Sequence, residues 1–408
     1  NMNSTSDSIF GINVKIWIYV GFIERKNFRN IVLFSLVPSF ILSSELLNAY
    51  HSWSSIFEGG LVLGLFMMTI LINSFLRIFA LVAKEAKFTQ FMKSIDDWCL
   101  NATINNDHHA LEILDQTMKR ARFISTFGWT FGMLGCLMTI GVPLLSQERG
   151  DFFPCIDFWF FHSYRMIVCF SLDFPHKVWL PAEWDLYSSP LYEFMYAIQV
   201  IFVVPYIAMT YIPFTNVCAI WFIFGIGILQ DLRFKLENLT RKNYPTDREL
   251  LVALKKCISY HKQIIKLIDE DLISLVSFFE FLLFSIMLCF LLFFILMVGC
   301  DFCHLLSIEP FLTTVLYIFS IFYAVFLTYW HANEFSYESE RIADAAYNVE
   351  WISSSKELKK CIVMLIARSQ TALTIFAGGI YPMNLETCRA LLNASYTFWT
   401  LLRRLSVK

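Results

Sequence analysis

Seven stretches of this chain are apolar for about twenty residues or more, long enough to cross the hydrocarbon core of a bilayer as a helix. They lie near residues 31–50, 59–82, 123–145, 194–229, 272–299, 310–331 and 383–403. In lipid, only helices and closed barrels satisfy every backbone polar group, and continuous runs of this length are helical. The pattern predicts an all-α membrane protein, a single seven-helix domain over residues 1–408. The fourth and fifth runs exceed what a bilayer needs, so they are expected to tilt or to project beyond it. A weaker apolar stretch, 361–380, precedes the last run. It reads as a shorter helix broken from its successor at Gly378, Gly379 and Pro382, where helix propensity collapses. The final helix is thus expected to be split, with a cytosolic anchor region over 332–380 ahead of the last span.

Composition agrees with a lipid environment. Hydrophobic residues make up 57% of the chain and charged residues 16%, against about a quarter in soluble proteins. The formal charge of −2 leaves no basic footprint for a nucleic acid. Eleven cysteines show no zinc spacing, and the Cys300/Cys303 pair has nothing nearby to complete a metal site. No His/Glu, Cys/His or glycine-rich phosphate constellation occurs, so neither an enzyme nor a cofactor is expected. The first thirty residues lack the layout of a secretory signal, which leaves the first span to direct insertion.

Lysine and arginine set the orientation. Of 32 such residues, 24 fall in the N-terminal segment and in 83–122, 230–271 and 332–370. The alternate connections hold three, the C-terminal tail three more, and Arg77 and Arg389 lie inside spans. The basic side is cytosolic, which puts the N-terminus inside and the C-terminus outside. Sequons at Asn3, Asn101 and Asn238 then face the cytosol and should carry no glycan. A G-protein-coupled receptor has the opposite orientation, and its Asp/Glu-Arg-Tyr and Asn-Pro-x-x-Tyr motifs are absent. Nor are there paired broken helices in corresponding halves, as in many transporters.

The last span carries polar residues at helical intervals. At roughly 100° per residue, Arg389, Asn393, Thr397, Thr400 and Arg404 fall within about 80° of one another. Polar side chains inside a membrane face protein or water, not lipid. One full-length stripe suits either the wall of an aqueous pore, shared between subunits around an axis, or hydrogen bonding across a helix interface.

The segment ERIADAAYNVEWISSSKELKKCIVMLIARSQTALTIFAGGIYPMNLETCRALLNASYTFWTLLRRL, residues 340–405, resembles the C-terminal region of insect odorant receptors almost phrase by phrase. Its parts are Ala-Ala-Tyr-x-x-x-Trp, a lysine-rich turn, Ala-Gly-Gly-x-Tyr-x-Met-Asn-Leu and Ser-Tyr-Thr-x-x-Thr-Leu-Leu-Arg. The related gustatory receptors end in Thr-Tyr followed by Gln-Phe; here Ser395-Tyr396 is present and Gln-Phe is not. Over residues 1–330 the likeness rests on span number, orientation and a long second outer loop.

The resemblance implies an odorant-binding subunit that joins a shared odorant co-receptor in a tetramer, forming an odour-gated, non-selective cation channel. It also implies the plasma membrane of olfactory neuron dendrites. The last helix would line the pore through Asn393, Thr397, Thr400 and Arg404, with Leu401 and Leu405 at a hydrophobic constriction near the outer end. Leu401 lies about 60° from the stripe and Leu405 nearer about 100°, so the wheel favours the first. Arg404 departs from what a cation pore wants, unless it points aside or the co-receptor sets selectivity.

Residues 334–360 are amphipathic, with Ile342, Ala346, Val349 and Ile352 three or four apart. Such a face docks on its own subunit or, as the family implies, on a neighbour, with Tyr347 and Trp351 adding aromatic area. The family's ligand cavity lies among the outer halves of the second, third, fourth and sixth spans. Here these give Phe66, Met67 and Ile70, then Cys136, Thr139 and Ile140. The fourth span adds Ile198, Phe202 and Tyr206, and the sixth Tyr317, Ile321 and Tyr323. Taken singly, each residue reads first as plain helix packing. As a set they are apolar and aromatic with a few hydroxyls, and no charged residue lies among them. A small neutral volatile is the expected ligand. The loop 146–193 holds Trp159, Trp179 and Trp184, together with Cys155 and Cys169, which face an oxidising compartment and could pair.

Overall fold

The computed structural model describes residues 9–23, 28–51, 59–145, 191–268, 274–301 and 308–406. The loop 146–193 lies outside them up to residue 190, so its cysteines and tryptophans do too. The described chain is almost wholly helical. In order, the helices are α1 (Ile12–Val20), α2 (Phe28–His51), α3 (Gly59–Ala83), α4 (Glu85–Ile104), α5 (His108–Leu145), α6 (Leu191–Ile198), α7 (Val204–Glu237), α8 (Asp247–Ile268), α9 (Ser274–Asp301), α10 (Ile308–Tyr347), α11 (Lys356–Ser369) and α12 (Leu385–Ser406). Among the described residues, six segments within α2, α3, α5, α6–α7, α9 and α10 are long and apolar enough to cross a membrane. The seventh stretch is the 22-residue α12, which is more polar than these six.

The sixth stretch does not stop at its apolar end. α10 runs 40 residues, from Ile308 to Tyr347, through the first third of the region read as the anchor. The weaker stretch also divides differently. Its helix, α11, covers Lys356–Ser369, and a hairpin follows, pairing Phe376 with Pro382 and Ala377 with Tyr381. Gly378 and Gly379 both have positive φ, the left-handed region that favours glycine. A Cβ at Gly378 would lie 2.9 Å from Phe278, and its N–H donates to the Ser274 carbonyl at 2.8 Å. Tyr381 stacks 5.0 Å from Phe281. The hairpin is thereby pinned to the start of α9, and it fixes where α12 begins.

The hub is α7, in which every residue from Ile212 to Leu229 is buried. A helix apolar on all sides belongs in a core, and α10, α5, α1 and α3 surround this one. Pro213 interrupts α7 and cannot donate to the carbonyl of Met209, four residues back. The Trp17 indole N–H of α1 supplies a bond to that carbonyl at 3.1 Å. Nearby, the Asn13 side chain donates to Ser125 at 2.8 Å and accepts from Trp129 at 2.9 Å and Asn216 at 3.2 Å. One short N-terminal helix thus ties α5 to α7.

At the lysine-rich end, α4, α8 and α11 gather around α7 and α10. Lys235 bridges Asp231 and Asp107, and Lys255 meets Glu357 of α11 at 2.7 Å. His261 of α8 is buried there, and burial first, then the Arg368 charge, lowers its pKa from 6.5 to about 4. Between those values the unfolded chain binds a proton that the native chain does not. Stability should therefore fall as pH drops from 6.5 towards 4, by up to about 1.4 kcal/mol per pH unit. Thermal melts of detergent-purified protein should show this slope, and His261→Gln should flatten it.

Candidate functional site

The helical turns remote from the lysine-rich end bring some of the expected ligand-site residues together. The Phe66 ring of α3 lies 5.4 Å from that of Tyr317 on α10. Thr139 of α5 donates its hydroxyl to the Gly135 carbonyl at 2.9 Å, so its oxygen accepts from the Tyr317 hydroxyl at 2.8 Å. Beside them, Tyr196 of α6 donates to the Ile140 carbonyl at 2.6 Å. Four helices therefore converge on one aromatic, hydroxyl-bearing group. Tyr196 had not been expected here, and only its amphipathic chemistry could have marked it. Met67 and Ile321 are buried in the same core, with Ile70 packed against it, while Cys136 is half-buried.

The fourth-span trio is not brought together. Residues 199–203 form a π-helical turn, whose wider winding breaks the four-residue register assumed for Ile198, Phe202 and Tyr206. Ile198 packs in a cluster with Ile41 and Leu71, and Phe202 turns outward at 45% exposure. Tyr206 is buried between Phe34 and Phe75, at 5.4 and 5.2 Å. Tyr323 also faces elsewhere, towards Phe127 at 5.1 Å.

Below the aromatic group lies a feature that the sequence reading noticed only as a charge in a span. Arg77 of α3, 2% exposed, pairs with Glu280 of α9 at 2.7 Å. Its guanidinium also donates to the Tyr211 carbonyl at 2.6 Å and to the Thr215 hydroxyl at 3.2 Å, and lies 4.0 Å from the Tyr211 ring centroid. Each is the lone charge of its apolar run, which is the signal that could have paired them.

The last helix has two faces. Thr387, Cys388, Leu391 and Ser395 are buried, and Ser395 meets Ser285 of α9 at 3.4 Å. Arg389, Asn393, Thr397, Leu401 and Arg404 are exposed on the opposite face, with Thr400 at its edge. The Thr397 hydroxyl donates to the Asn393 carbonyl at 2.8 Å and that of Thr400 to the Thr397 carbonyl at 2.7 Å. Both hydroxyl protons are committed to the backbone, so the oxygens present lone pairs outward. The Leu405 side chain lies outside the described residues.

In the anchor region, Ile342, Ala346 and Val349 are buried in the chain's own core. Those three are spent on packing within the subunit, whereas Ile352, beyond the end of α10, is 80% exposed. Tyr347, 66% exposed, is left on the surface, and Trp351 is half-buried, with its indole N–H bonded to the Tyr347 carbonyl at 3.1 Å.

The model of the 7tm Odorant receptor family matches residues 59–396. Odorant receptor Or2 of Anopheles gambiae is 30% identical over 409 residues, with 97% of each chain covered. Odorant receptor 10 of Aedes albopictus is 29% identical over 404 residues, again covering 97% of both. In fold, the chain is similar to the insect olfactory receptor OR5 from Machilis hrabei in complex with eugenol, with a TM-score of 0.75, 15% identity and 97% coverage of each. The chain, almost wholly helical over its described residues, is a multi-pass member of the 7tm odorant receptor family.

Proposed function

We propose that this receptor is the odorant-binding subunit of a heterotetrameric, odour-gated, non-selective cation channel. A shared co-receptor supplies the other subunits, in the plasma membrane of olfactory neuron dendrites, with the N-terminus cytosolic. One observation carries the channel reading: α12 turns its polar stripe away from its own subunit. A stripe that served only helix packing would be buried against α9, where Ser395 and Leu391 sit instead. Outward oxygens at Thr397 and Thr400 suit the dehydrated surface of a passing cation. A volatile bound against Phe66, Thr139 and Tyr317 would bear on α3, α5 and α10 together. The Phe66–Tyr317 group offers hydroxyls and aromatic rings, which suit neutral ligands.

Recordings from cells expressing the chain with and without the co-receptor test this reading. Neutral volatiles should evoke cation current within milliseconds, without second messengers, only when both subunits are present. An organic acid at neutral pH should evoke none. Current that needs a G protein, or a response to acids alone, would reject the proposal.

A further inference from the structure

α3 presents one interior face through Phe66, Ile70, Asn73 and Arg77, which lie within about 60° of one another at roughly 100° per residue. The two ends of this face are occupied. Phe66 meets Tyr317 in the aromatic group, and Arg77 is committed to Glu280, Tyr211 and Thr215. Asn73 lies between them, 0% exposed. Among the described residues, neither its Oδ1 nor its Nδ2 has a hydrogen-bond partner. Its neighbours on α3 behave differently: Thr69 and Ser74 both turn their hydroxyls back onto the helix, at 2.7 and 3.0 Å. An asparagine amide cannot be dismissed in this way, since it carries two donors and an acceptor. Buried polar groups left unpaired are rare and costly, and a bound group offering both a donor and an acceptor relieves both ends at once.

We propose that Asn73 is the polar anchor of the ligand site. It would hydrogen-bond the single hydroxyl of an uncharged volatile whose apolar body lies along Ile70 towards Phe66 and Tyr317. This rests on the odorant-receptor reading above and adds the chemistry of the ligand to it. The distance along α3 from Asn73 to Phe66, seven residues or roughly 10 Å at about 1.5 Å per residue, suits a compact volatile lying between the two. The Arg77 guanidinium is drawn towards Glu280 and α7, to which its Nε and Nη1 donate. The anchor itself is polar but uncharged, and it selects neutral molecules bearing one hydroxyl over bare hydrocarbons and over acids.

The test uses the full-length chain with its co-receptor and isosteric pairs such as benzyl alcohol with ethylbenzene and 1-octanol with nonane. In the wild type the oxygen-bearing member of a pair should be the stronger agonist. Asn73→Leu should raise its half-maximal concentration roughly ten- to hundredfold, the scale of one lost hydrogen bond to a desolvated group. The hydrocarbon partner should shift by less than about threefold, which also reports that the variant is folded. Where Asn73→Leu fails to reach the surface, Asn73→Ser is scored instead, and it should narrow the same preference part of the way. A wild type that prefers the hydrocarbons, or variants that shift both members equally, would overturn the assignment. No current from the wild type with any volatile would instead reject the receptor reading itself.

Discussion

Arg77→Met alone should strip the receptor from the cell surface. The double replacement Arg77→Met with Glu280→Leu should return much of it. The pair lies deep in the bundle, 2% and 12% exposed, at the junction of α3, α7 and α9. Removing one partner leaves an uncompensated carboxylate in a low-dielectric interior, a loss of roughly 3–5 kcal/mol. Against a total stability of about 5–15 kcal/mol, that is enough to unfold or retain most of the protein. Replacing both by apolar residues of similar volume removes the desolvation cost along with the attraction, and such swaps are often neutral. The pair thus specifies which faces of α3 and α9 meet more than it stabilises the fold. Surface biotinylation, with thermal melts of purified protein, reads both variants. If the double variant fares no better than the single one, the guanidinium acts mainly through its bonds to the Tyr211 carbonyl and the Thr215 hydroxyl, and pairing with Glu280 is secondary.

That pair also marks the boundary of what the sequence discloses. Lipid imposes length and period on a chain directly, so apolar runs gave up their helices, and the 80°-wide stripe on α12 appears where the spacing of Asn393 and Thr397 put it. Long-range partnership has no such signature. Arg77 and Glu280 are 203 positions apart, and only their isolation within apolar runs connects them. Local departures from ideal winding are hidden too. Nothing in Gln-Val-Ile-Phe-Val announces a π turn, yet it carries Phe202 outward and separates it from Tyr206. The amphipathic period of Ile342, Ala346 and Val349 was legible as a buried face, but periodicity cannot say whose surface buries it. Here the chain's own core does. Gly378-Gly379 read as the point where a helix breaks, but α11 already ends at Ser369, and the hairpin that the glycines close depends on Ser274 and Phe278, about a hundred residues earlier.

Thr397→Leu with Thr400→Leu should abolish most of the odour-evoked current while leaving surface level and half-maximal odorant concentration close to wild type. Both residues lie on the outer face of α12, away from the Phe66–Tyr317 group and from the α9 contact through Ser395, so neither ligand binding nor folding depends on them. Their hydroxyl protons are engaged by the Asn393 and Thr397 carbonyls, which leaves oxygen lone pairs as the groups offered to an ion. Leucine replaces them with methyl groups that cannot stand in for water around a cation. Each 1.4 kcal/mol added to the transit barrier reduces flux about tenfold, and the loss of one such oxygen contact is of that order. Thr397→Ser with Thr400→Ser keeps the oxygens and should conduct nearly normally, which separates chemistry from shape. Equal currents from the leucine and serine pairs would place the ion path elsewhere. A right-shifted odorant response with unchanged maximal current would place these threonines in ligand coupling instead of the pore.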